Sequence, residues 1–153
     1  MVGPAFAASD TQTITGTLGS TIGATTAGDG HITLTAGQAV PDTDTDDTVT
    51  VDSNVAYNLS VVADKAKMTE WVGEAYVTTS AKALTSALQA MADTANATLK
   101  DVPTGATPLP LNATPQAADG GKVFHMTLSQ PVAWTDPPAD YHIVLTYTAA
   151  APV

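Results

Sequence analysis

The stretch "TVTVDSNVAYNLSVVAD", residues 48–64, decides the fold class. Val49 and Val51 alternate with threonines. After the polar Asp52-Ser53-Asn54, Tyr57, Leu59 and Val61 alternate with Asn58, Ser60 and Val62. A period of two puts one set of side chains on each face of an extended chain, and β-branched residues suit a pleated, half-buried surface. The stretch therefore reads as two strands, with Tyr57, Leu59 and Val61 as an inward set.

The same period continues outward. "TQTITGTLG" (11–19) sets Ile14, Gly16 and Leu18 against Thr13, Thr15 and Thr17, and "HITLTAG" (31–37) reads as a short strand with Ile32 and Leu34 inward. Between them "TIGATTAGDG" (21–30) has the composition of a Gly/Thr turn region. "MTEWVGEAYVTT" (68–79) reads as two short strands around Val72-Gly73-Glu74. "KVFHMTLSQPVAW" (122–134) turns Phe124, Met126 and Leu128 one way and Val123, His125 and Thr127 the other. In "YHIVLTYTA" (141–149), Tyr141, Ile143, Leu145 and Tyr147 form one apolar stripe.

One segment breaks the period. "SAKALTSALQAMADTANATL" (80–99) spaces Leu84, Leu88, Met91, Ala95 and Leu99 at close to 3.6 residues, is rich in alanine and opens on Ser80 as an N-cap. This predicts a helix over 81–91. The expected fold is all-β, or mainly β with one short helix: a jelly-roll or Ig-like β-sandwich forming one domain over residues 21–153.

Composition narrows the function. Fifteen acidic residues face five basic ones, giving a net charge of -10. All five basic residues are lysines (Lys65, Lys67, Lys82, Lys100, Lys122). Nucleic acid needs clustered positive charge, so it is set aside, and an anionic membrane surface is disfavoured for the same reason. Without arginine there is no bidentate clamp for phosphate or carboxylate. Without cysteine there is no thiol catalysis, thiolate zinc site or disulfide. No apolar run is long enough to span a membrane. Ala5-Phe6-Ala7 fits an A-x-A cleavage pattern, so residues 1–7 read either as the remnant of a secretory signal or as an Ala-rich tail.

No catalytic constellation emerges, and the chain reads as a non-enzyme. His31, His125 and His142 each sit in an alternating stretch opposite the apolar stripe, with no second ligand at metal spacing. The two glutamates, Glu70 and Glu74, flank a turn, where solvated carboxylates are ordinary. In "PDTDTDDTVTVDSN" (41–54), Asp42, Asp44 and Asp46 match the first three positions of an EF-hand loop. Asp47 replaces the required glycine and Ser53 the bidentate glutamate, so this is no EF-hand. Two expectations stand: a weak calcium site on Asp42, Asp44 and Asp46, or a solvated acidic turn feeding the strand at Val49.

Three of the four asparagines, Asn58, Asn96 and Asn112, head N-x-[ST] sequons, more than composition gives by chance. Sequons mark surface positions of exported proteins. The expectation is N-linked glycans and an extracellular or cell-surface location.

The C-terminal "PVAWTDPPADYHIVLTYTAAAP" (131–152), with Trp134, its Asp-Pro turn and its closing strand, resembles secreted β-sandwich fibre proteins: archaeal bundling-pilus subunits, the TasA/camelysin biofilm-fibre proteins and, more loosely, WxL surface domains. Residues 48–63 resemble the paired central strands of the same group. In that group the helical-looking 81–91 region is strand and loop. The resemblance implies a structural subunit of an extracellular filament (pilus, biofilm fibre or sheath), its partners being other copies of itself. Assembly would follow donor-strand complementation, in which an N-terminal strand completes the sheet of the next subunit. Residues 1–20 would be the donor segment, with Thr13, Ile14, Thr15, Gly16, Thr17 and Leu18 as the strand; the stretch has no Lys, Pro or Glu to guard a free edge. The alternative is a secreted carbohydrate- or surface-binding β-sandwich module, with or without calcium.

Overall fold

The computed structural model describes residues 15–94 and 97–153, and they contain no helix. Twelve strands follow in order: β1 Ile22–Ala27, β2 Asp42–Asp44, β3 Thr48–Ser53, β4 Asn58–Ala63, β5 Thr69–Val72, β6 Ala75–Tyr76, β7 Gln89–Ala92, β8 Lys100–Asp101, β9 Leu109–Pro110, β10 Asp119–Gln130, β11 Tyr141–His142 and β12 Leu145–Ala150. The protein is all-β. A six-stranded sheet runs β1-β3-β10-β7-β8, with β2 also paired to β10; two three-stranded sheets run β12-β4-β9 and β11-β5-β6.

Alternation builds the core. Val49 and Val51 of β3 and Phe124, Met126 and Leu128 of β10 turn inward from the large sheet; Leu59, Val61 and Ala63 of β4 and Leu109 of β9 turn inward from the β12-β4-β9 sheet. All join one apolar cluster between two sheets, the arrangement of a sandwich. Burying a side chain such as Phe124 or Leu59 stabilises the fold by about 1.5–3 kcal/mol. Tyr57 is 0% exposed and meets Phe124 edge-on, ring centroids 6.4 Å apart. β3 and β4 belong to different sheets, so residues 48–63 do not form a paired hairpin.

Three expectations are corrected. The helix over 81–91 does not form. Ser80 has φ 53° rather than the extended backbone of an N-cap, and β7 pairs Ala90 with Leu128 and Ala92 with Met126. Ala90 and Ala92 are the buried pair, set opposite two long side chains, so small residues fit there. The alanines answer a packing need rather than a helical one, and tertiary pairing overrides weak propensity. Second, 21–30 is not a turn region: β1 pairs along its whole length with β3, from Ile22↔Ser53 to Ala27↔Thr48. As an edge strand with five exposed residues it carries no alternation to read. Third, "HITLTAG" forms no strand, although Ile32 packs on the core. The C-terminal stripe also divides, β11 pairing with β5 and β12 with β4.

β5 and β6 form the expected hairpin. Gly73 and Glu74 at its tip have φ 59° and 65°, the two positive values of a type I′ turn.

Candidate functional site

The seam between the two core sheets lies at β1 and β12. Each ends its sheet, so each has one backbone edge without a ladder partner among the described residues. A cleft of about 320 Å³ lies at one end of this seam, lined by Ala27 of β1, Leu145 and Tyr147 of β12, the core residues Val49, Met126 and Leu128, and the turn residues Gly28, Asp29 and Gly30. An extended chain adding to either unpaired edge would bond through its backbone while alternate side chains reach the apolar lining of the cleft. Burial, then the charges of Asp47 and Asp44, push the Tyr147 hydroxyl up to about 12.

Residues 15–20 are exposed and form no strand. Leu18 is 86% exposed. Asn54 ties down the end of this segment: its Nδ2 donates to the Gly19 carbonyl at 2.9 Å, and the Thr21 N–H donates to its Oδ1 at 2.8 Å. Of the expected donor strand, Thr13 and Ile14 lie outside the described residues. Thr15, Gly16, Thr17 and Leu18 stand free of the subunit's own sheets.

An acidic cluster lies at the rim of the cleft, with a different membership from that expected. Asp29, Asp44 and Asp46 each bring a carboxylate oxygen within 4.8 Å of the other two. Asp42 is elsewhere, its Oδ2 accepting the Thr35 N–H at 2.5 Å. Asp44 closes β2 and is buried; its Oδ1 accepts the Asp46 N–H at 3.1 Å. Asp29 arrives on the turn after β1, its Oδ1 accepting the His31 N–H at 2.9 Å. Asp47 stitches the two loops together by accepting the Gly30 N–H at 3.1 Å. Contact with Asp44 and its negative charge raise the Asp46 carboxyl above its usual range, and burial raises Asp47. Asp29 escapes the sequence because it is far from the Asp42–Asp47 run. The β1–β3 register reveals it: two residues beyond Ala27↔Thr48, Asp29 falls opposite Asp46.

The sequons separate. Asn58 is half-buried on β4, on the face opposite Leu59 and Val61. Asn96 lies outside the described residues. Asn112 departs from the expected surface position: it is 6% exposed. Its Oδ1 accepts the Leu59 N–H at 2.6 Å, and its Nδ2 donates to the Thr114 carbonyl at 2.7 Å. A glycan on that nitrogen would displace the hydrogen bond to Thr114.

His142 belongs to an aromatic group. Its ring stacks on Trp71 at 4.2 Å, and Tyr76 meets Trp71 edge-on at 4.9 Å. Asp64 anchors this group, accepting the Tyr76 hydroxyl at 2.7 Å and the Val144 N–H at 2.8 Å. No helix among the described residues is long and apolar enough to cross a membrane. Compared with known proteins, the chain matches no family model, no curated protein and no solved structure.

Proposed function

We propose that this chain is a self-assembling structural subunit of an extracellular filament, polymerising by strand addition. Residues 13–18 of one copy add to the unpaired edges beside this cleft of the next. The observation that carries this reading is the pairing of opposites on one molecule: a cleft with an apolar lining beside two unpaired edges, and a Thr-rich segment that leaves Leu18 86% exposed. A donor and an acceptor at different places make a heterologous interface, which propagates unless its rotation closes a ring. The sequon at Asn58, on the outer face of β4, supports an exported protein that carries glycans.

The test uses the full chain. Wild-type protein should form filaments visible by electron microscopy as concentration rises. Leu18→Asp should stay monomeric by light scattering with an unchanged melting temperature, because Leu18 makes no core contact. Excess synthetic peptide covering residues 11–19 should shorten the filaments. Filaments from Leu18→Asp, or a wild type that is monomeric at every concentration, would rule the reading out.

A second reading, a carbohydrate-binding module, has one observation in its favour: Trp134 is 81% exposed. Exposed tryptophans stack on sugar rings, but a platform usually sets several side by side. Glycan-array binding lost in Trp134→Ala, by a protein that does not polymerise, would favour it.

A further inference from the structure

We propose that Asp29, Asp44 and Asp46 form a binding site for a divalent cation of the hard, oxygen-seeking kind, and that calcium is the ion it fits. This goes beyond the assembly reading and does not depend on it.

The cluster alone would not suffice, since exposed carboxylates commonly gather without an ion. The decisive group is Asp44. Its side chain is 94% buried, being 6% exposed, and its Oδ2 has no hydrogen-bond partner among the described residues. An anion removed from water costs several kcal/mol unless it is paired. Its neighbours worsen the cost, because the charges beside it are Asp29 and Asp46, both negative. The ion pair present among the described residues, Lys82 with Glu70, involves none of these groups. Asp44 thus brings a carboxylate oxygen within 4.8 Å of oxygens from Asp29 and Asp46 with no cationic side chain paired to any of them among the described residues, and a metal ion would supply the missing charge.

The donor chemistry selects the ion. All three ligands are carboxylate oxygens, with no imidazole or thiolate, which suits calcium or magnesium over zinc or copper. The frame then separates the first two. Calcium accepts six to eight oxygens in flexible geometry, whereas magnesium demands a near-ideal octahedron and gives up its waters reluctantly. The three oxygens come from two loops held together by the Asp47–Gly30 hydrogen bond, an irregular frame that calcium tolerates. Waters would complete the shell at Asp29 and Asp46, which are exposed.

The full-length protein, stripped with EDTA, is titrated with calcium chloride, then with magnesium chloride, while thermal unfolding and binding heat are followed. Calcium should raise the melting temperature in a concentration-dependent way, as expected when an ion binds only the folded state. Asp44→Asn and Asp29→Asn should each weaken calcium binding at least about tenfold. Asp42→Asn, outside the cluster, should leave it unchanged. Metal-free Asp44→Asn should melt no lower than metal-free wild type, since it removes an uncompensated charge. If Asp44→Asn fails to fold, exposed Asp29 still decides the matter. No calcium response up to about 10 mM, ten times the weak end of known extracellular sites, or a response surviving Asp29→Asn, overturns the site. An equal response to magnesium overturns the choice of calcium.

Discussion

Asp47 occupies the space that a side chain on Gly28 would need: a β-carbon there would fall 1.8 Å from Asp47 Oδ1. Gly28 also has φ 129°, a conformation that other residues rarely adopt. Both facts serve one end, since the turn after β1 must pass close to Asp47 for Gly30 to reach it. Gly28→Ala should destabilise the domain by about 1–3 kcal/mol, read as a lower urea midpoint with an unchanged slope. Adding Asp47→Ala should recover only part of the loss, because Asp47 Cα would still lie 2.7 Å from the new β-carbon and the backbone strain remains.

Asn112 joins two distant pieces of chain in the core. Replacing it with alanine leaves the Leu59 N–H buried without its acceptor, a loss of about 1–3 kcal/mol. Guanidinium denaturation checks the value. A stability equal to wild type would mean that water reaches the Leu59 amide.

Tyr57→Phe should behave in the opposite way. The Tyr57 ring is fully buried, yet its hydroxyl has no partner among the described residues. Removing an unpaired buried hydroxyl while keeping the ring against Phe124 should be neutral, or stabilising by up to about 2 kcal/mol. A clear loss of stability in the same denaturation experiment would reveal a bond to that oxygen.

All four tyrosines hold their protons more tightly than a free phenol, and burial is the first cause in each. Tyr76 adds a hydrogen bond to Asp64, and Tyr147 reaches about 12. An unfolded tyrosine ionises near about pH 10. The folded state therefore binds more protons above that value, and stability falls as pH rises. For Tyr147 the loss runs from about pH 10 to about 12. Below about pH 9 the tyrosines should leave stability flat. Tyrosinate absorbance should appear together with the loss of strand circular dichroism. Full ionisation near pH 10 with the dichroism intact would contradict the burial of these rings.

Where the sequence was legible, a sheet had one wet face and one dry face. β3, β4 and β10 as far as Leu128 bury alternate residues, so Val49 and Val51, Leu59 and Val61, and Phe124 and Met126 announce themselves by alternation. β1 does not, because nearly all of it faces solvent and Gly, Ala and Thr suit a turn as well as an edge. β7 misleads because its inward residues are alanines, sized for Leu128 and Met126 across the ladder. The acidic cluster was half legible: Asp44 and Asp46 lie in a visible run, while Asp29 joins them only through a β1–β3 register that the residues of β1 do not advertise.

The sheet order also sets a timetable for folding. β4, at Asn58–Ala63, finds its ladder partners in Leu109–Pro110 and Leu145–Ala150, and β3 waits for β10 at Asp119–Gln130. Almost no strand of the core can pair with the one made just before it. Such distant pairings make folding slow, because large loops must close before any contact repays their entropy. A nascent chain emerging from its N-terminus therefore has no stable sandwich to form until its last strand is free. It stays extended until nearly all of it is released, the state in which a polypeptide can be threaded through a narrow channel.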